Sequence, residues 1–432
     1  MRNTLHRQLA RFLFATTTAT LAVSVALPAS AVPVPDIYDR AGDAGLFAVQ
    51  RTWSGSTVDF DNDGDQDVFI GHHQRVDSKL WSNDGDGTYT LAAVIKRVND
   101  QGGILDRHDC AWSDVDHNGL KDLYCSGGRN NSNYVKTAVK DNELWLQGPV
   151  GTFTDVGTQW GIGDACGRGR YVAFLDVNGD GWDDLFLGNQ SGRNVTDPCD
   201  DPANGYPNEE SKLFINTAGT GLVYDRAWNV TRADTGVSCA LPMDYDKDGL
   251  MDLLACNFKT TRPQLYRNTG TGFVDVGTTI GLTAITDAVL GDVSGDGIED
   301  LVMSDTRGFL YRRGTATGLG PAVRLYTSSS TTTTGIGGEV AVGDINNDGL
   351  LDIYGMQEGA KLTNPNPPDK LFVNNGDGTF LTVVPPAATG QGEAVISLAP
   401  AAGAGAQFLV LNGQEGQDGP IQLIAERLVV TP

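Results

Sequence analysis

Basic residues and histidines are scarce in this chain. Its 432 residues include 31 Lys and Arg against 54 Asp and Glu, for a formal net charge of −23 at pH 7, and only 5 histidines. So acidic a chain repels phosphate backbones and anionic lipid headgroups. We therefore expect neither nucleic acid nor a membrane surface among its partners.

Sequence motifs of common catalytic sites are also missing. The chain has no Gly-x-Ser-x-Gly elbow, no His-Glu-x-x-His motif and no phosphate-binding loop. The adjacent His72 and His73 could be an acid–base pair, but we expect them to be strand-end or surface residues. The sequence favours a protein without catalytic residues.

Long apolar runs are limited to the N-terminus. An arginine-containing start is followed by a mostly apolar run over residues 21–27 and by the cleavage pattern Ala-Ser-Ala ending at Ala31. We expect a signal peptide over residues 1–31 and a secreted or periplasmic mature protein over residues 32–432. No later segment approaches the roughly 18 apolar residues of a membrane span, so we expect no membrane insertion.

A nine-residue acidic motif is abundant instead. Its first copy is Asp-Phe-Asp-Asn-Asp-Gly-Asp-Gln-Asp at residues 59–67, and five more copies follow. Oxygen-bearing side chains occupy positions 1, 3, 5 and 9, and Gly occupies position 6, where a positive φ makes a sharp turn possible. Calcium takes six to eight oxygen ligands, and alternate residues of a tight loop can supply them. We predict about six Ca²⁺ ions, and six copies in one register argue against a merely solvated acidic loop.

The predicted ligands are the side chains at positions 1, 3, 5 and 9 and the backbone carbonyl at position 7. Loops 1 and 4 carry four carboxylates each and should bind calcium most tightly, whereas loop 5, with Ser294, should bind it most weakly. In loop order the predicted ligands are Asp59, Asp61, Asp63, Asp65 and Asp67; Asp114, Asp116, Asn118, Leu120 and Asp122; Asp176, Asn178, Asp180, Trp182 and Asp184; Asp244, Asp246, Asp248, Leu250 and Asp252; Asp292, Ser294, Asp296, Ile298 and Asp300; Asp344, Asn346, Asp348, Leu350 and Asp352.

The motif is not an EF-hand. An EF-hand needs Glu at position 12 and a helix on each side, whereas position 12 here is Ile70, Cys125, Leu187, Ala255, Met303 or Gly355. Apolar strand-like segments follow the loops, so each loop should join two β-strands.

The six cysteines fit an oxidising compartment. Cys110 and Cys125 lie 4 residues before and 11 after the first ligand of loop 2, and Cys239 and Cys256 lie 5 before and 12 after that of loop 4. Both pairs of offsets suit facing residues of one antiparallel hairpin. We predict the disulfides Cys110–Cys125 and Cys239–Cys256, which leaves Cys166–Cys199 as the third.

The spacing of the motif predicts the fold. Successive loops begin 48 to 68 residues apart, and a Leu-x-x-Asn hairpin signal follows loops 1, 3, 4 and 6. Short apolar strands recur after these turns. Four strands per unit at this period predict an all-β, seven-bladed β-propeller of four-stranded antiparallel blades. The seventh unit is aligned on a Gln-Glu-Gly sequence that residues 414–416 share with residues 357–359, and its ligand positions then become Ala401, Gly403, Gly405 and Leu409. Either residues 36–41 or residues 427–431 should complete this last blade.

These motifs resemble the FG-GAP/VCBS repeat family, the integrin-alpha-like propellers. The resemblance implies calcium in the hairpin loops between the first two strands of each blade and a role in adhesion or recognition. The expected partner is an extracellular carbohydrate or protein. Alternatives are a calcium-dependent polysaccharide lyase or hydrolase on the same scaffold, and a scaffold subunit that needs other chains.

The longest connections after the calcium loops lie in units 2 and 3, which a propeller makes neighbours. They contain Arg129 and Tyr134 in unit 2, and Arg193 and Tyr206 in unit 3. Long loops on a rigid scaffold often carry binding sites. We predict that these four residues contribute to a shared ligand pocket.

Overall fold

In the computed structural model the chain forms two units, residues 1–33 and residues 34–432. Only the second unit contains described residues. The structure describes residues 34–46, 49–50, 52–72, 77–96, 107–128, 142–164, 167–190, 210–228, 230, 236–257, 262–328, 338–357, 368–386, 394–399, 405–412 and 419–426.

The described residues form β-strands and a single 3₁₀ turn at Arg226–Trp228. In chain order the strands are β1 (Ile37–Asp39), β2 (Val49–Gln50), β3 (Thr52–Val58), β4 (Asp67–His72), β5 (Ser78–Asn83), β6 (Tyr89–Ile95), β7 (Arg107–Ser113), β8 (Asp122–Gly127), β9 (Glu143–Gln147), β10 (Phe153–Asp155), β11 (Gly169–Leu175), β12 (Asp184–Asn189), β13 (Lys212–Asn216), β14 (Leu222–Tyr224), β15 (Val237–Met243), β16 (Asp252–Asn257), β17 (Gln264–Asn268), β18 (Phe273–Asp275), β19 (Ile285–Gly291), β20 (Asp300–Asp305), β21 (Gly308–Thr315), β22 (Gly318–Thr327), β23 (Val340–Gly343), β24 (Asp352–Gly355), β25 (Lys370–Asn374), β26 (Phe380–Val383), β27 (Ala394–Leu398), β28 (Gln407–Leu411) and β29 (Gly419–Glu426).

The strands build a seven-bladed β-propeller, as predicted. Blades 1 to 6 are the antiparallel sheets β3–β6, β7–β10, β11–β14, β15–β18, β19–β22 and β23–β26. Blade 7 combines β27, β28 and β29 with β1. We call the strands of each blade A to D, from the centre outwards. The A strands neighbour one another in blade order, and β27 lies beside β3, so the ring is closed.

The N-terminal strand closes the ring. In β1, Ile37 pairs with Glu426 of β29 and Asp39 pairs with Ile424. The Asp39 carboxylate accepts the backbone N–H of Leu423. Residues 36–41 therefore supply the outer strand of blade 7. The competing segment, residues 427–431, lies outside the described residues.

The hydrophobic core lies between the blades rather than within any one of them. All six residues of each B strand in blades 1 to 5 are buried. One core cluster joins Phe69 and Leu80 of blade 1 to Leu123 of blade 2. A single blade cannot cover both of its faces, so each blade depends on its neighbours. This explains the nearly continuous apolar sequence of the B strands.

Two predicted disulfides are confirmed. Cys110 faces Cys125 across β7 and β8, and Cys239 faces Cys256 across β15 and β16; both pairs are bonded. The third predicted pair, Cys166–Cys199, lies outside the described residues.

The seventh hairpin differs from the predicted register by two residues. Leu398 pairs with Gln407, as Gly343 pairs with Asp352 in blade 6. Position 9 of the motif therefore falls on Gln407 and not on Leu409. The prediction aligned the Gln-Glu-Gly sequences at residues 357–359 and 414–416. The first begins 5 residues after Asp352 and the second begins 7 residues after Gln407, so the alignment is shifted by two residues.

Candidate metal centres

The six acidic loops connect strand A to strand B at the same end of blades 1 to 6. Gly at position 6 has a φ between 83° and 94° in every loop, as expected for its sharp turn. Position 4 is also left-handed: it is glycine in loops 3 and 5, and Asn62, His117, Lys247 and Asn347 in the others. The two left-handed residues flank position 5 and curl the loop around its own side chains.

The first carboxylate of each loop holds this curl in place. Asp59 accepts the backbone N–H groups of Asp63 (3.1 Å) and Gly64 (3.2 Å). The N–H at position 6 is bound in the same way in the other five loops. The residue at position 5 then accepts the N–H of position 7 in all six. The loop backbone is thus organised by the predicted ligand side chains.

The position 9 aspartates are fully buried at the start of the B strands. Asp67 accepts the N–H of Phe60 within its loop (3.0 Å) and that of Asn83 from strand C (2.8 Å). Burial raises the pKa of Asp67 to about 6 and those of Asp122, Asp184 and Asp352 to about 7, and neighbouring loop carboxylates add to the effect. Within the described ranges, none of these four carboxylates forms an ion pair, which would favour the ionised form.

Carboxylate oxygens converge in three of the loops. In loops 1, 2 and 4 they lie within 4.8 Å of one another, from Asp59, Asp61 and Asp67; Asp114, Asp116 and Asp122; and Asp244, Asp246 and Asp248. One oxygen in each loop, the Oδ1 atom of Asp61, Asp114 or Asp246, is buried without a hydrogen-bond partner. Such an oxygen is costly unless something binds it. The side chains of these loops therefore fit a hard divalent cation.

Loops 3 and 6 have an amide in place of the carboxylate at position 3. The Nδ2 groups of Asn178 and Asn346 donate to the carboxylates of Asp180 (3.1 Å) and Asp348 (2.9 Å). The amide oxygens of Asn178 and Asn346 accept the backbone N–H of position 5, so position 3 still presents an oxygen to the inside of the loop. The ligand set of each loop, including the position 7 carbonyl, stays a prediction.

Strand C contributes a residue whose role the sequence analysis missed. Asn216 gives its backbone N–H to Asp184, and its Nδ2 group donates to the Val115 carbonyl in loop 2 of the preceding blade. Asn268 and Asn374 repeat this arrangement in blades 4 and 6. The recurring Leu-x-x-Asn was recognised only as a turn signal. Its recurrence after loops 1, 3, 4 and 6 could have drawn attention to this Asn, which links consecutive loops from blades 3, 4 and 6.

Neighbouring loops also touch through their side chains. The Trp182 ring stacks on His117 of loop 2, with centroids 3.7 Å apart. Asn62 of loop 1 donates to the Gly119 carbonyl of loop 2. Loops 1 to 3 thus form one continuous surface.

The predicted ligand pocket stays a prediction. Arg129, Tyr134, Arg193 and Tyr206 all fall outside the described residues. His72 is described: its ring is buried at the end of β4, and burial lowers its pKa to about 4. It is therefore a strand-end residue, as expected.

The fold and loops define a β-propeller with an acidic hairpin loop in six of seven blades. The FG-GAP-like repeat family matches residues 59–125, 114–187, 244–303 and 292–355. Each match starts at position 1 of one loop and ends at position 12 of the next, so the family's repeat spans two blades. The chain belongs to the FG-GAP-like repeat family.

Solved structures with similar folds share little sequence with this chain. A lectin from Agrocybe aegerita that recognises non-reducing terminal N-acetylglucosamine is 16% identical, with 80% of this chain and 82% of that chain covered and a TM-score of 0.49. BBS1N, solved in complex with ARL6DN, is 9% identical, with 92% and 98% covered and a TM-score of 0.49. The extracellular domain of a hybrid two-component system from B. thetaiotaomicron is 11% identical, with 89% and 40% covered and a TM-score of 0.45. No curated protein matches the chain. Within the described ranges, no helix is long and apolar enough to cross a membrane.

Proposed function

We propose that this protein is a secreted, calcium-binding propeller that recognises an extracellular carbohydrate or protein ligand and does not transform it. The observation that carries the proposal is the convergence of carboxylates in loops 1, 2 and 4, each with a buried oxygen that has no partner. Membership of the FG-GAP-like repeat family supports it.

Calcium would act on the loops as an organiser. The side chains at positions 1, 3, 5 and 9 would hold the ion, and its charge would offset the repulsion among carboxylates that lie within 4.8 Å of one another. Asn216, Asn268 and Asn374 bind the position 9 carboxylates of loops 3, 4 and 6 and also the preceding loop, so ordering of these three loops would support loops 2, 3 and 5. The ring would then be a rigid platform for the connections between strands B and C at its other end.

Binding of a carbohydrate can be tested with a panel of neutral and acidic polysaccharides. The mature protein, residues 32–432, would be incubated with each in calcium and in EDTA, and both retention and product size would be measured. Retention that needs calcium and leaves the polysaccharide intact supports the proposal. Shortened products would instead establish the polysaccharide-cleaving alternative, and retention that is equal in EDTA would contradict the role of calcium.

Variants of the long connections locate the ligand. Tyr134→Ala and Tyr206→Ala should weaken retention at unchanged thermal stability, because these residues are proposed to contact ligand rather than core. Equal retention by both variants would exclude the predicted pocket.

A further inference from the structure

Two arginines contact the acidic loops directly. In blade 4, the Arg267 guanidinium donates through Nε to Asp246 (2.7 Å) and through Nη2 to Asp248 (3.2 Å), which are positions 3 and 5 of loop 4. In blade 5, Nε of Arg313 lies 3.4 Å from the Oδ2 atom of Asp296, which is position 5 of loop 5. Both arginines therefore pair with predicted calcium ligands.

The two arginines occupy the same place in their blades. Arg267 precedes Asn268, whose N–H binds the position 9 carboxylate of Asp252, and Arg313 precedes Gly314, whose N–H binds that of Asp300. The other four acidic blades have an uncharged residue at this place: Ser82, Leu146, Ile215 and Val373. Among ion pairs between described residues, none involves a carboxylate of loops 1, 2, 3 or 6. Loops 4 and 5 thus form a distinct and adjacent pair.

A fixed positive charge changes the energetics of cation binding. Arginine remains protonated at all relevant pH values. It offsets part of the carboxylate repulsion when no metal is bound, and it competes with an incoming Ca²⁺ for the same oxygens. Arg267 is 43% exposed and Arg313 is 54% exposed, so either guanidinium can be displaced into solvent.

We propose that Arg267 and Arg313 are built-in counter-ions that lower the calcium affinity of loops 4 and 5. Loops 1, 2, 3 and 6 fill first, and blades 4 and 5 are the sector of the ring that responds to changes in calcium concentration. This inference rests on the proposed calcium binding. It reverses the expectation from carboxylate number alone, which places loop 4 among the tightest sites.

Calorimetric titration of the mature protein with calcium tests this assignment. Arg267→Leu should move one site from the weaker class to the tighter class, with an affinity gain of about tenfold, equivalent to about 1.4 kcal/mol. The matched control is Arg262→Leu, which removes an arginine of the same blade that pairs with Asp275 rather than with the loop. This control should leave the isotherm unchanged.

The reverse substitution provides an independent test. Ser82→Arg places an arginine at the same position of blade 1, where the side chain is only partly buried, and should weaken one tight site by a similar factor. Calcium uptake in which Arg267→Leu and Ser82→Arg both behave like the wild type would overturn the counter-ion role and leave calcium binding intact. A wild-type protein that takes up no calcium would overturn the proposed function itself.

Discussion

Blades 6 and 7 have A–B hairpins of equal length, but only blade 6 has an acidic loop. Gly343 pairs with Asp352 in blade 6, and Leu398 pairs with Gln407 in blade 7. Asp352 and Gln407 are both buried. The Asp352 carboxylate accepts two backbone N–H groups, whereas the Gln407 amide oxygen accepts the Arg40 guanidinium.

Blade 7 shows that the hairpin forms without carboxylates. Its B strand is as buried as the B strands of the acidic blades. Gly405, just before this strand, packs closely on loop 6, where a Cβ would collide with the Ile345 carbonyl oxygen. Burial between blades therefore produces the fold. The acidic residues of the other six blades are an added feature that costs stability without a cation.

The largest expected effect comes from neutralising the buried carboxylate of blade 6. In saturating calcium, Asp352→Asn should lower the free energy of unfolding by about 2–3 kcal/mol, because one bound ion is lost. In EDTA the same change should be neutral or stabilising, because it removes a buried negative charge that has no bound cation to balance it. Urea unfolding in both conditions measures the difference.

Gln407→Ala in blade 7 is the matched control. It removes a buried side chain at the same place and should cost about 1 kcal/mol in calcium and in EDTA alike. If Asp352→Asn also had equal effects in both conditions, blades 6 and 7 would not differ in metal binding.

A smaller effect is expected at the joints between A strands, which should respond to pH rather than to calcium. The Asp109 carboxylate of blade 2 accepts the Val172 N–H of blade 3 (2.9 Å). Asp287 and Glu339 make the same bond to the blades that follow them, including the junction of blades 6 and 7. Tyr171 donates to Glu339 from blade 3. Burial raises the pKa of Asp287 to about 7, and the negative charge of Asp109 raises it further.

Asp109→Asn tests the pH dependence of such a joint. Burial raises the pKa of Asp109 to about 7, from 3.8 in the unfolded chain. The folded state therefore holds this proton more tightly, and the contribution of Asp109 to stability falls as the pH rises from about 4 to about 7. Relative to wild type, the variant should gain about 1 kcal/mol between pH 6 and pH 7, measured by denaturant unfolding at each pH. An unchanged difference would show that Asp109 is ionised throughout.

Features with a strict period were predictable from sequence. The acidic motif recurs in one register, so the hairpins, the blade count and the facing pairs Cys110–Cys125 and Cys239–Cys256 followed from strand geometry. The seventh unit has no acidic residue at the ligand positions to mark the register, and alignment on the repeated Gln-Glu-Gly sequence placed these positions two residues too late.

Contacts between separate segments were not predictable in this way. Arg267 reaches loop 4 from strand C, and its direction depends on which face of the strand it occupies beside the loop. Closure by residues 36–41 required comparing two strand-like segments near opposite ends of the chain. Neither outcome is determined by local sequence pattern, because both depend on how distant strands pack.

The most direct measurement is the number of calcium ions bound per chain at saturation, by equilibrium dialysis of the metal-free mature protein. Six acidic loops predict about six ions, with a concurrent rise in the melting temperature. Binding of no calcium, or binding that leaves the melting temperature unchanged, would contradict the account.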